Sequence, residues 1–227
     1  MGLMTYDDFA EELDFLLKRR NDNDATNTAR ISRWINQAYT YMCHPSVHKF
    51  REMQAINSIT LATSDNDYTL TSVISDTIVA IRFITYISAT SFTAGATKRK
   101  VNPRSIRQFE QKTLASGAPF EYAIDGETLY INGIPTTTQN SHLLRVGYYK
   151  EPASISGAET TVLGSYYDRP LLKIAQAFAE ADLQDRDLSL LTLREASGLL
   201  NNALEEEELE AEETGYEVEV VLQNAMG

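Results

Sequence analysis

Three histidines and one cysteine bound whatever nucleophilic or metal chemistry this chain of 227 residues could perform: His44, His48, His142 and Cys43. Cys43, His44 and His48 form the one cluster of such residues. A tetrahedral zinc site needs four ligands, and here a fourth ligand and a second cysteine are missing. A Cys43–His44 nucleophile pair fails on geometry, because adjacent residues on a helix point in different directions. The cluster reads as a helix terminus carrying ordinary surface histidines. Asp22-Asn23-Asp24 and Asp65-Asn66-Asp67 open like calcium loops. The first has Asn27 where a sharp-turn glycine belongs and Arg33 where the closing acid belongs, and the second has Leu70 at the glycine position. Both read as turns and helix caps. Phosphate-loop, dinucleotide and H-E-x-x-H motifs do not occur. We assign no catalytic residue, metal ligand or cofactor, and the chain is expected not to be an enzyme.

Two charged segments carry more information. Lys98, Arg99, Lys100, Arg104, Arg107 and Lys112 crowd fifteen positions with one acid, Glu110. They form either a solvated loop and helix face or a contact patch for acidic protein or phosphate. The run Glu205-Glu206-Glu207-Glu208-Leu209-Glu210 and onward to Glu213 favours helix and reads first as a solvated face that outruns its core. Charge is also split along the chain. Residues 1–120 hold 14 Lys and Arg against 12 Asp and Glu, whereas residues 121–227 hold 6 against 20. Gripping DNA requires Lys and Arg to replace counterions, which the second half cannot do. A negative wall past which DNA slides without sticking is compatible with that balance.

The elements that must position these groups follow from periodicity. With 43% hydrophobic and 23% charged residues, the chain has the composition of a globular protein. Its opening, MGLMTYDDFAEEL, lacks an export signature, and Tyr6 stands where myristoylation would want Ser or Thr. A lone cysteine suits a reducing cytoplasm, and no apolar run is long enough for a bilayer. Thr5 and Asp8 resemble a capping box ahead of a helix whose face is Tyr6, Phe9, Leu13, Leu16 and Leu17. A second helix, about Thr28 to Met42, carries Ile31, Trp34, Ile35, Ala38 and Met42, and stops at His44-Pro45. Strands are expected near Ile56–Leu61, Tyr68–Leu70, Ile78–Tyr86, Phe120–Ile124, Thr128–Asn132 and Leu143–Tyr149. Lys98-Arg99-Lys100 is read as loop, with Asn102-Pro103 opening a short helix to about Leu114. Two further helices follow from about Tyr166, separated at Asp185-Arg186-Asp187. Tyr216-Glu217-Val218-Glu219-Val220 alternates strictly, with Val221 and Leu222 after it, a strand with no hairpin partner nearby. The expected fold is α+β: a helical bundle of 1–54 and 160–213, a β-rich module at 55–159, and an extended arm at 214–227.

Several of these stretches, in this order, resemble phage head-to-tail adaptor proteins, including the tail-tubular-type connectors of short-tailed phages. Tyr6-Asp7-Asp8-Phe9 comes first, then Arg33-Trp34-Ile35-Asn36-Gln37-Ala38-Tyr39, similar to the family's second helix, then Tyr68-Thr69-Leu70. Ser116-Gly117-Ala118-Pro119-Phe120-Glu121-Tyr122-Ala123-Ile124-Asp125-Gly126-Glu127-Thr128-Leu129-Tyr130-Ile131 resembles its hairpin, and Val146-Gly147-Tyr148-Tyr149-Lys150-Glu151-Pro152 its next strand. The chain departs from that pattern at Asn132-Gly133-Ile134-Pro135, where a pair of prolines is usual, and in its acidic extension and terminal strand.

The resemblance implies a structural virion protein of the neck, assembled in the bacterial host cytoplasm, with no enzymatic activity and no cofactor. Its partners would be the portal protein, a tail or nozzle protein, and further copies of itself in a homo-oligomeric, dodecameric ring. DNA would pass through without specific binding, and no membrane is involved. Tyr216, Val218, Val220 and Leu222 are expected to meet the portal or a neighbour as an added strand, unless that strand pairs inside its own subunit. Lys98, Arg99, Lys100, Arg104 and Arg107 are candidates for an electrostatic interface, and Glu205, Glu206, Glu207 and Glu208 for the channel wall. The alternatives are a tail-tube or neck protein without direct portal contact, and a DNA-binding packaging factor resting on the basic stretch alone.

Overall fold

A computed structural model describes residues 3–18, 28–92, 95–183 and 185–214. The elements run α1 (Tyr6–Lys18), α2 (Thr28–Met42), β1 (Gln54–Thr60), β2 (Asp67–Thr69), α3 (Leu70–Val73), β3 (Ile78–Ile87) and β4 (Lys98–Pro103). They continue α4 (Ile106–Glu110), β5 (Glu121–Asp125), β6 (Thr128–Asn132), β7 (Leu143–Lys150), α5 (Asp168–Asp182) and α6 (Arg186–Thr214). The chain is thus α+β. It divides into two compact units, one made of Met1–Glu52 with Pro152–Gly227 and the other of Met53–Glu151.

In the first unit, α1 opens with the capping box. Asp8 Oδ2 accepts from Thr5 N at 2.8 Å and from Thr5 Oγ1 at 2.7 Å, and Asp8 N donates back to Thr5 Oγ1 at 3.2 Å. Tyr6 N and Asp7 N donate to Glu159 O and Gly157 O, satisfying two amides that a helix start leaves open. Phe9, Leu13 and Leu17 are buried, as are Ile31, Trp34, Ile35, Ala38, Tyr39 and Met42 on α2. Those spacings put one apolar stripe on each helix. The helix α1 packs on α2 and α5, and α5 packs on α2 and α6. At about 1.5–3 kcal/mol per large side chain fully buried, these stripes outweigh ion pairs such as Arg30 and Arg33 on Asp182, at about 0–1 kcal/mol each. Polar groups fix the register instead. Buried Glu180 on α5 accepts from Gln176 Nε2 at 2.8 Å and from Thr192 Oγ1 of α6 at 2.6 Å.

The second unit is a seven-stranded sheet in the order β1-β7-β3-β4-β5-β6-β2. Its pairings are antiparallel except β4 with β5. One face buries Ile59, Leu61, Tyr68, Ile84, Tyr86, Val101, Leu129, Leu144, Val146 and Tyr148. The hairpin β5–β6 turns at Gly126, whose φ of 56° is the left-handed region that this residue adopts at little cost.

The basic stretch departs from the expected loop, and the expected helix is present but confined to α4. Lys98–Pro103 is a strand, paired with β3 through Ile84↔Val101 to Ile87↔Lys98. Asn102 and Pro103 end that strand beside Glu121 and Tyr122, and Ser105 caps α4 by accepting from Gln108 N at 3.4 Å. Val101 is the only residue of β4 that is buried, so the strand carries almost no alternation in its sequence. Proline is tolerated there because it stands at the strand's last position.

Candidate functional site

Three of the six cations between Lys98 and Lys112 have hydrogen-bond partners on the segment 118–121. Glu121, only 5% exposed, takes up two of them: its Oε1 lies 2.9 Å from Arg104 Nε and 2.7 Å from Lys112 Nζ, and its Oε2 lies 2.8 Å from Lys112 Nζ. Those partners, Lys112 foremost, hold the Glu121 carboxyl below its ordinary range. Arg99 donates to the carbonyls of Ala118 and Pro119 at 2.5 and 2.6 Å. These three side chains fasten β4 and the segment after α4 to the start of β5.

Because the depressed Glu121 pKa stabilises the fold only while the group is ionised, its contribution is complete above the ordinary value of 4.5 and is lost as pH falls through the lower folded value. Glu121→Gln should therefore cost about 1–2 kcal/mol at pH 7, discounted for the partial exposure of both cations, and flatten the loss of stability between about pH 5 and 3. Urea denaturation across that pH range reads both effects. An unchanged slope would show that Glu121 is not what the acid limb titrates.

What remains of the basic stretch is Lys98, Lys100 and Arg107, none of them in an ion pair among the described residues. Strand register then supplies a cation that chain position hides. Thr85 of β3 lies opposite Lys100 of β4 on one side and Arg145 of β7 on the other. Directly opposed residues share a sheet face, so Lys100, Thr85 and Arg145 form one row, on the face opposite Val101, Ile84 and Val146. Phe92, 55% exposed, joins this row. Its ring centroid lies 4.2 Å from Lys98 Nζ and 4.5 Å from the Arg145 guanidinium carbon. The result is a compact basic and aromatic patch.

The acidic candidates separate as well. Glu205 and Glu206 are exposed, whereas Glu207 is half-buried and accepts a hydrogen bond from the Tyr167 hydroxyl. The side chain of Glu208 and the arm beyond Thr214, with Tyr216, Val218, Val220 and Leu222, lie outside the described residues, as does Asp22-Asn23-Asp24.

Of the remaining chemistry-bearing groups, Cys43 is buried, His48 half-buried and His44 exposed. The Cys43 thiol is pushed up to about 12 by burial, so it stays protonated at neutral pH. His44 Nδ1 lies 2.6 Å from Ser46 Oγ, and the His48 ring stands edge-on to Phe50 with its pKa lowered by burial. Asn66 O accepts from Ile131 N at 2.8 Å, making Asp65-Asn66-Asp67 the turn into β2. Among the described residues no three His, Cys, Asp or Glu side chains gather as a metal site, and no helix is long and apolar enough to cross a membrane.

The motif on α2 has a structural explanation. Trp34, Ile35 and Ala38 are buried, and Arg33 reaches Asp182 at 2.6 Å. The Tyr39 hydroxyl oxygen accepts from Val162 N at 3.0 Å, and the Asn36 amide meets both backbone groups of Ile155. The helix thereby ties down the segment that returns from the sheet. A family model described as SU10 adaptor protein matches residues 4–220, which takes in this motif, the hairpin, the basic row and the acidic run. No curated protein matches the chain.

Proposed function

Because the chain belongs to the SU10 adaptor protein family, a family of phage head-to-tail adaptors, we propose that it is a structural virion protein whose copies close a ring beneath the portal and join it to the tail. The family match over residues 4–220 carries this reading. Such a ring repeats one heterologous interface about its axis, and the ring proposed is a dodecamer. The helices of 1–54 and 160–213 act as a bundle against the portal and around the channel. The β-rich module at 55–159 faces the tail or nozzle protein. The first unit holds 11 Lys and Arg against 24 Asp and Glu, and the sheet unit 9 against 8. The acid excess of the helical unit favours it as channel wall, where carboxylates repel phosphates and leave packaged DNA free to exit.

Two measurements test this. Purified protein mixed with the portal of its own phage should form a ring on that portal, seen by electron microscopy; particles showing bare portals at micromolar protein would end the reading. Deleting 214–227 should leave the circular dichroism of the chain unchanged and abolish its incorporation into particles, because the alternating side chains from Tyr216 to Leu222 add as a strand to a neighbour or to the portal. A truncated chain that still incorporates removes the arm from the mechanism and leaves the ring.

A further inference from the structure

We infer that the patch of Lys98, Lys100, Arg145 and Phe92 on the outer face of the sheet receives the acidic end of α6, at Glu205, Glu206 and Leu209, from a second copy of this chain. The inference rests on the ring proposed above and names one of its lateral contacts.

Charge is the first argument. Arg194 is the last cation in the sequence, and the residues after it carry ten glutamates and no Lys or Arg. Glu205 and Glu206 are exposed and form no ion pair among the described residues. On the other surface, Lys98, Lys100 and Arg145 form no ion pair and no side-chain hydrogen bond among the described residues, and the acid on the neighbouring strand, Glu121, is already held by Arg104 and Lys112. Each surface therefore carries charge that its own surroundings leave unmatched.

Pattern is the second argument. Within the glutamate run stands one exposed leucine, Leu209, at 63%; among the cations stands one exposed phenylalanine, Phe92. Lys100 and Arg145 sit on strands either side of β3, about 10 Å apart. Leu209 follows Glu205 by four residues and Glu206 by three, so all three occupy one helix face within about 6 Å of rise. A helix laid on the patch sets Leu209 on Phe92 and its acids on the flanking cations. Nucleic acid fits less well. Three cations in a unit with only one charge to spare, on a chain of net charge −12, release few counterions.

Charge reversal on exposed positions of the full chain tests the contact. Lys98→Glu with Lys100→Glu reverses the patch, and Glu205→Lys with Glu206→Lys reverses the helix; circular dichroism verifies that each variant folds. Assembly, alone and on the portal, is followed by sedimentation velocity and electron microscopy at low salt. Each reversed surface should weaken assembly about tenfold or more. Equal amounts of the two variants should reassemble, because copies alternating around a ring present only matched surfaces. Assembly indifferent to either reversal, or no mutual rescue, overturns the contact while leaving the adaptor reading in place. Wild-type chain that neither self-associates nor binds the portal defeats that reading and the contact with it. If the wild type binds duplex DNA and reversal of Lys98 and Lys100 abolishes only that, the patch belongs to nucleic acid and the inference is wrong.

Discussion

Gly133→Ala should destabilise the sheet unit by about 4 kcal/mol. Two effects add. The φ of Gly133 is 101°, outside the regions a side chain adopts readily, which costs about 1–3 kcal/mol for a residue bearing a Cβ. A Cβ there would also lie 2.5 Å from Ala118 O and 2.7 Å from Pro119 Cα, and both are backbone atoms that cannot rotate away. Hydrogen bonds lock the two segments together at this point: Gly117 N donates to Ile134 O and Ile134 N to Ala115 O, each at 2.7 Å. Asn132 Oδ1 accepts from Ala115 N at 2.9 Å and from Gly133 N at 3.0 Å. Gly126→Ala is the control. Its φ of 56° is also positive, but nothing lies within 4 Å of an added Cβ, so only the backbone term applies, about 1 kcal/mol. Urea denaturation of both variants separates the effects. Equal losses would mean that the 115–119 segment shifts freely, against its hydrogen bonds.

Gly133 also shows where a sequence stops being informative. Asn132-Gly133-Ile134-Pro135 stands out only as a departure from the prolines usual in this family; nothing in the sequence announces that the chain at Ala118 passes over it. Local features were legible because their causes are local. The capping box of Thr5 and Asp8, the stripes of α1 and α2, and the turn at Asp125-Gly126 each depend on neighbours a few residues apart. The strand at Lys98–Pro103 and the partners of the basic stretch were not legible, for the converse reason. Whether Arg104 and Lys112 face solvent depends on Glu121, and whether Lys100 belongs to a patch depends on the register of β3 with both β4 and β7. Arg145 looks like an ordinary outward residue of an alternating strand until that register sets it beside Thr85. Long-range pairing decides which cations are spent and which are free, and spacing along the chain carries no record of it.

Asn36→Leu should cost about 3 kcal/mol, although the residue sits at mid-helix on α2, where asparagine is no asset to helix formation. Its amide accepts from Ile155 N at 2.8 Å and donates to Ile155 O at 3.2 Å, reproducing the two bonds that a neighbouring strand would offer; it also donates to Ser32 O at 3.0 Å. Leucine keeps the volume and removes both bonds to a half-buried backbone, and Ile155, itself buried, cannot turn to water without leaving its site. Asn36→Asp discriminates between lost volume and lost bonds. A carboxylate still accepts from Ile155 N but opposes Ile155 O, so folding favours the protonated acid and raises its pKa above the unfolded value of about 3.9. Relative to wild type, that variant should lose about 2 kcal/mol at pH 7 and progressively less as pH falls through the raised value, because the protonated group donates to Ile155 O again. Denaturation at pH 7 and near pH 4 measures the difference. A deficit independent of pH would mean that Ile155 O finds another donor, and α2 would then hold the returning segment through Tyr39 and Val162 alone.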